Sequence, residues 1–514
     1  MSGGAQRNGA LAQLAGSEFD VLIIGGGIVG SGIARDAAMR GLKTALVEQH
    51  DFAFGTSSRS SRLLHGGLRY LAQGRIGLVR EASIEKKIIH RIAPHLAEPL
   101  PFIFPSYRDN KHWRLWQLKI GVKIYDLLCG GRNLGRSSWL NQDEVIGKVP
   151  SLNFEQLKGA VRYYDGFTND ARLTLDTLRS AAKAGATLVN YCCFRQATRS
   201  NFWGCAVEDR LTGKAFLVKA RHVVNATGPW ADGLAQSQVK LRVTKGVHVV
   251  VERDRVPVPE TLVMTEGKRI LFAIPWGGRT ILGTTDTDFQ GSADRVTADA
   301  GDIEYVLRIT NRFFPKAKLA GTDVISCWAG LRPLLAGPGG EPSDVSRSHE
   351  IKNPEPGWWD VAGGKLTTYR LMAEQTVDRI VRWSRKTSGL RPDILPCRTA
   401  DELLLPANET QNFSTLLPPE FCRPAVEHYC GDEWAIHLDD VMVRRTGWHY
   451  YHRDATQKAE VVADWMAELL GWTDAQRAAE LQRYCEVTGC LPVKKTSSSQ
   501  GFRCQNDHEY VPMV

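Results

Sequence analysis

A strand, a glycine-rich turn, a helix and a second strand follow one another between residues 20 and 48, and that order leaves few folds open. Asp20 to Ile24 is a short apolar run of the kind that forms a buried strand. Ile28 to Met39 repeats apolar residues at helical spacing, Gly41 stops the helix, and Lys43 to Glu48 is the second strand. Strand, helix and strand within roughly thirty residues imply a parallel pair joined by a right-handed crossover. The turn reads Gly25-Gly26-Gly27-Ile28-Val29-Gly30, a G-x-G-x-x-G at Gly25, Gly27 and Gly30. Gly25 allows the tight turn, Gly27 lets the backbone approach a pyrophosphate, and Gly30 lets helix and strand pack closely. The helix start offers N–H groups and a positive dipole end to phosphates. Glu48, eighteen residues after Gly30, is placed to accept ribose hydroxyls.

These features specify a dinucleotide; two later segments favour FAD. Val223 to Gly228 is a strand running into a small-residue turn, suited to pass beside the cofactor. Gly363-Gly364-Lys365 precedes a helix expected over Leu366 to Ser384, whose N-terminus, aimed at a flavin pyrimidine, would stabilise negative charge on the ring. Between Gln49 and Gly67 the chain is rich in Ser, Gly and Arg and reads as loop.

A chain of 514 residues has room for two or three domains, and 43% hydrophobic with 24% charged residues excludes disordered and fibrous classes. A net charge of +9 suits an anionic substrate, an anionic membrane surface or nucleic acid, and selects none of them. The eleven cysteines show no metal-ligand spacing, which suggests free thiols in a reducing compartment, and no metal is expected. No segment approaches the roughly 20 apolar residues that span a bilayer. Residues 1–17 lack the apolar core of a signal peptide and read as a disordered leader. The Pro- and Thr-containing segment 386–420 reads as a linker, 421–490 as a helical domain, and 491–514 as a flexible tail. Within that domain, Thr473 and Gln476 form a capping-box start.

The segments IIGGGIVGSGIARDAAMRGLKTALVEQHDFAFGTSSRSSRLLHGGLRYL at 23–71, VVNATGPWAD at 223–232, GLRPLL at 330–335 and GGKLTTYRLMAE at 363–374 resemble the FAD-dependent, quinone-linked glycerol-3-phosphate dehydrogenases. The resemblance covers roughly 20–480 and is far more specific than the glycine motif. It implies an α/β architecture: a glutathione-reductase-type, Rossmann-like FAD domain interleaved with a mixed-sheet substrate domain, then a C-terminal helical domain. FAD parts are expected at about 18–105, 160–235 and 325–385, and substrate or cap parts at about 106–159 and 236–324. The activity implied is oxidation of glycerol 3-phosphate to dihydroxyacetone phosphate, with electrons passed to membrane quinone. No D-x-[DN]-x-[DN]-G calcium loop occurs, so the resemblance is to the bacterial type. It also implies a cytoplasmic protein held peripherally on the inner face of the cell membrane.

A substrate phosphate needs two or more fixed cations. The resemblance supplies Arg69, Arg332 and Lys365, with Tyr70 beside them, and Arg269 as a weaker candidate. It carries the cofactor to Gly25, Gly27, Gly30, Glu48, Thr56, Ser57, Ser58, Gly228, Gly363, Gly364, Leu366 and Thr367; Arg59 and Arg62 support the diphosphate or the loop. The base that takes the C2 hydroxyl proton should titrate near operating pH, which favours histidine; His65 ranks above His248. Lys111 to Leu128 sets Trp113, Trp116, Ile120, Ile124 and Leu127 on one face beside Lys111, Arg114, Lys119 and Lys123, which is either an interfacial helix or, ranked first, a helix covering the core. Two alternatives stay open: an oxidase that hands electrons to oxygen, and a basic flavoprotein that binds RNA or protein around a structural FAD. No nucleic-acid partner is expected, and homodimerisation is left open.

Overall fold

The computed structural model describes residues 3–72, 74–130, 133–336, 349–387 and 393–489. Two sheets dominate it. The first runs His349–Lys352, Trp358–Gly363, Ala215–Asn225, Glu18–Ile24, Thr44–Val47, Thr187–Val189, and a hairpin, Cys192–Arg199 with Trp203–Asp209, extends it. Glu18–Ile24 is parallel to both Thr44–Val47 and Ala215–Asn225, so the expected crossover is present. Its flanking helix, Ile28–Met39, is buried almost throughout, packed between Asp170–Lys183 and Tyr369–Thr387. Small residues permit this: a Cβ on Gly30 would stand 1.9 Å from the Gly25 carbonyl oxygen.

The second sheet is mixed and has ten strands among the described residues. Ala97–Tyr107 pairs antiparallel with Leu157–Thr168, and Leu241–Glu252 with both Arg279–Gly283 and Val324–Leu335. Strands of the two sheets alternate along the chain, and the borders differ from those expected. Val324–Leu335, Ala97–Tyr107 and Leu157–Thr168, which overlap the stretches expected to hold FAD, hydrogen-bond into this second sheet. Apolar alternation identifies a strand, whereas its partner sheet is set by contacts distant in sequence.

Two further expectations fail. The leader is a helix, Gly3–Gly16, whose Leu14 is fully buried against the first sheet and whose Arg7 pairs with Asp209 at 2.6 Å. Its glycine-rich sequence has weak helical propensity, so packing decides its state. The described part of 386–420 is no free linker: Leu404 and Leu405 are buried, and the Arg35 guanidinium donates to the carbonyls of Thr399, Glu402 and Leu403. The helical domain follows with Arg423–Asp432, Ala455–Leu470 and Asp474–Thr488, the last opened by the Thr473–Gln476 capping box. The expected tail at 491–514 lies outside the described residues. No helix among the described residues is long and apolar enough to cross a membrane.

Candidate active site

A cavity of about 740 Å³ lies along the carboxyl ends of the parallel strands, where open α/β sheets bind ligands. The sequence-predicted Gly25, Gly27, Glu48, Thr56 and Ser57 line it, as do Gly228, Gly363, Gly364 and Leu366. The first turn is shaped by close approach: Gly25 has φ +110° and a Cβ there would stand 2.6 Å from the Ala226 carbonyl oxygen. Glu48 accepts from the N–H groups of Gly26 (2.7 Å) and His50 (2.8 Å), while burial pushes its carboxyl up from the ordinary value. The Ser57 hydroxyl accepts from Ile28 N at 2.9 Å, at the start of the first helix.

Three predicted cofactor residues stand elsewhere. Gly30 lies under the turn and serves packing. Ser58 is buried and does not line the cavity. Thr367 faces His65, accepting from its N–H at 3.0 Å. The second helix starts at Tyr369, after a 3-10 turn at Leu366–Thr368, rather than at Leu366.

The same cavity brings together His65, Tyr70, His248, Arg332 and Lys365. Lys365 Nζ stands 4.0 Å from the centre of the Tyr70 ring. The Arg332 guanidinium donates to Asp286 (3.2 Å), the Thr284 hydroxyl (3.0 Å) and the Thr285 carbonyl (3.2 Å). Gly246 makes room for it, since a Cβ there would come within 2.3 Å of the guanidinium. Arg332 therefore reaches the pocket in a fixed pose, with part of its charge offset by Asp286. The side chain of Arg69 lies outside the described residues. Arg269 lines a smaller adjoining cavity of about 160 Å³ that shares Ser61, His65, Tyr70 and Arg332.

The two histidines differ. His248 is buried, stacks on Trp328 at 5.1 Å, and shares a 2.8 Å hydrogen bond between Nε2 and the Ser61 hydroxyl. Burial, reinforced by the charges of Arg332 and Arg62, pushes its imidazolium down to about 3, so the ring is neutral near pH 7. His65 is only half-buried. Arg59 lines the cavity, whereas Arg62 packs against the faces of Trp276 (4.3 Å) and Trp328 (5.5 Å).

Family comparison agrees with this geometry. Residues 20–379 match the FAD dependent oxidoreductase family, and residues 399–477 match the C-terminal domain of alpha-glycerophosphate oxidase. "Glycerol-3-phosphate dehydrogenase 2" of Mycobacterium tuberculosis is 36% identical over 94% of this chain and 90% of its own length. "Aerobic glycerol-3-phosphate dehydrogenase" of Staphylococcus aureus is 35% identical over 90% of this chain and 93% of its own. The chain belongs to the FAD-dependent glycerol-3-phosphate dehydrogenase family. The FAD-complexed glycerol-3-phosphate dehydrogenase of Bacillus halodurans superposes with a TM-score of 0.73 at 28% identity, covering 96% of this chain and all of that one. L-alpha-glycerophosphate oxidase of Mycoplasma pneumoniae shares the fold, with a TM-score of 0.59 at 17% identity over 72% of this chain.

The residues of this family member fit FAD. Close-approach glycines shape the cradle at Gly25, and the cavity extends from Glu48 to the Gly363–Lys365 turn. His248 Nδ1, buried and without a hydrogen-bond partner among the described atoms, is a polar group in the cavity wall. Sequence reasoning missed Ser61, Trp328, Thr284 and Asp286. Ser61 stood in the quoted Ser/Arg loop, and its proximity to the His65 segment was the signal available. Thr284 and Asp286 gain their meaning only when Leu241–Glu252 pairs with both the strand ending at Gly283 and the one carrying Arg332.

Proposed function

We propose that the protein oxidises sn-glycerol 3-phosphate to dihydroxyacetone phosphate and passes the electrons to a membrane quinone. The observation that carries this reading is the convergence of Lys365 and Arg332 with His65 in the lining of one cavity. Lys365 and Arg332, with Arg69 joining them on the family pattern, bind the phosphate, and the Asp286 and Thr284 contacts keep the Arg332 fork oriented. Bound FAD supplies the hydride acceptor at N5. His65 removes the C2 hydroxyl proton as the C2–H bond breaks and the carbonyl forms. Neutral His248, held by Ser61, offers a hydrogen-bonding nitrogen to the reacting oxygen without carrying charge.

Quinone as acceptor is supported by the Leu115–Leu128 helix. It is not a plain core cover: Leu118, Val122 and Tyr125 face inward, while Trp116 (59% exposed), Ile120 (53%) and Leu127 (72%) face out, near exposed Trp139 (62%). Lys119 lies 4.7 Å over the Trp139 ring. Trp113 departs from expectation; it precedes the helix and is buried, donating to the Gly267 carbonyl. Apolar and aromatic side chains beside lysines suit the surface of an anionic bilayer on the cytoplasmic side.

Anaerobic addition of glycerol 3-phosphate should bleach the flavin absorbance, and glycerol should not. A flavin that stays oxidised would remove the substrate assignment. Reoxidation by a ubiquinone analogue should outpace reoxidation by air-saturated buffer; the reverse would make the enzyme an oxidase. Arg332→Ala should raise KM sharply at unchanged FAD content.

A further inference from the structure

Gly66 follows His65 and meets a buried cluster that does not line the main cavity, although one member, Asp165, lines the smaller adjoining one. Its N–H donates to the Tyr125 hydroxyl at 2.8 Å and lies 3.4 Å from Asp165 Oδ1. A Cβ at Gly66 would stand 2.4 Å from the Tyr125 oxygen and 2.8 Å from Ser83 Oγ, so the approach requires glycine. The Tyr125 hydroxyl itself donates to Asp165 Oδ1 at 2.5 Å. Lys86 Nζ donates to the same oxygen at 2.8 Å, and also to Asn133 Oδ1 at 2.9 Å and the Tyr164 carbonyl at 3.3 Å. Lys86 and Tyr125 are wholly inaccessible and Asp165 nearly so.

A buried lysine–aspartate pair is poor value as a stabiliser, because desolvation offsets most of the attraction and an apolar core of similar volume would serve. What apolar residues could not supply is an acceptor for the Gly66 N–H. Burial, with the Asp165 charge second, raises the Tyr125 phenol well above its ordinary value, so it stays protonated. Its proton is committed to Asp165, which leaves an oxygen lone pair for Gly66. On the other side of the turn the His65 N–H donates to the Thr367 hydroxyl. Two consecutive main-chain N–H groups are thus gripped, one from the cofactor side and one from the Leu115–Leu128 helix.

We infer that Lys86, Asp165 and Tyr125 are positioning residues for the reacting turn: by holding the Gly66 N–H they set His65 against the C2 hydroxyl of the substrate. The inference rests on the reading of His65 as the proton acceptor. Misplacing a reacting group by about 1 Å can cost on the order of 10²-fold in rate. Tyr125→Phe in the FAD-loaded enzyme should therefore lower the rate of anaerobic flavin reduction by about tenfold or more. FAD content should stay at the wild-type level, and the glycerol 3-phosphate concentration at half-saturation should stay within about twofold, because Arg332 is anchored separately. Gly66→Ala, which drives a Cβ against the Tyr125 oxygen, should show the same split. Reduction at the wild-type rate in both variants would overturn the inference. So would loss of FAD or an equal change in half-saturation, since the cluster would then be ordinary support. His65→Asn run alongside separates the two readings: if it alone reduces at the wild-type rate, the base assignment fails, and if Tyr125→Phe alone does, only the positioning role fails.

Discussion

Asp51→Asn tests how the helical domain reaches the cofactor. Asp51 is fully buried three residues after Glu48, where it meets two arginines of the C-terminal domain. Its Oδ2 accepts from Arg444 Nε and, at 2.5 Å, from Arg445 Nη1; Oδ1 accepts from Arg445 Nη2 at 2.9 Å and Asn190 Nδ2 at 3.1 Å. Burial alone would raise the Asp51 carboxyl, but Arg445 and Arg444 outweigh it and hold the group down at about 2, against 3.8 ordinarily. That difference corresponds to roughly 2 kcal/mol at neutral pH. Neutralising Asp51 also leaves the buried Arg445 charge without its carboxylate partner, its other acceptor being the Glu433 carbonyl, which brings the expected cost to about 3–5 kcal/mol. The loop transmits the loss: Ala53 N donates to the Gly26 carbonyl at 3.0 Å, and the Phe52 ring would lie 2.5 Å from a Cβ on Gly26. Urea unfolding followed by tryptophan fluorescence at pH 7 should show the destabilisation, with reduced FAD per chain. Because the folded-state value is depressed, the Asp51 contribution is present above about pH 4 and fades as pH falls toward 2. A variant that unfolds within about 0.5 kcal/mol of wild type at pH 7, with full FAD content, would refute the clamp.

Three other outcomes are expected. His65→Asn should lower the flavin-reduction rate by about 10²-fold or more, whereas His248→Asn should leave its pH dependence above about pH 4 unchanged, because His248 stays neutral down to about 3; stopped-flow reduction across pH measures both. Leu14→Ala should cost about 2–5 kcal/mol in urea unfolding despite lying in a segment that reads as disordered, since its side chain is wholly inside. Trp116→Ser combined with Leu127→Ser should lower co-sedimentation with anionic phospholipid vesicles several-fold and slow reoxidation by a lipid-borne quinone, while anaerobic reduction by glycerol 3-phosphate is unchanged.

Local pattern determined the cofactor half of this protein. The strand from Asp20, the glycines at 25, 27 and 30, the helix to Met39 and the strand ending near Glu48 all signal within a span of about thirty residues, where hydrogen-bond geometry and side-chain period act directly. The cations Arg332 and Lys365 were legible through the family resemblance of their segments, and the structure sets them on one cavity. Tertiary structure alone decided what those cations and histidines meet. Ser61 bonds His248 across 187 positions, Asp286 and Thr284 hold Arg332, and Tyr125 reaches Gly66 from 59 positions away. It also decided that Gly3–Gly16 is helical and that the segment after 392 is packed, because both are ordered by burial rather than by their own propensity. The Leu115–Leu128 helix shows the boundary well: its periodicity separates two apolar faces, but only the neighbours packed against Leu118, Val122 and Tyr125 show which face is left exposed. Periodicity is a property of adjacent turns; burial depends on what the rest of the chain brings alongside.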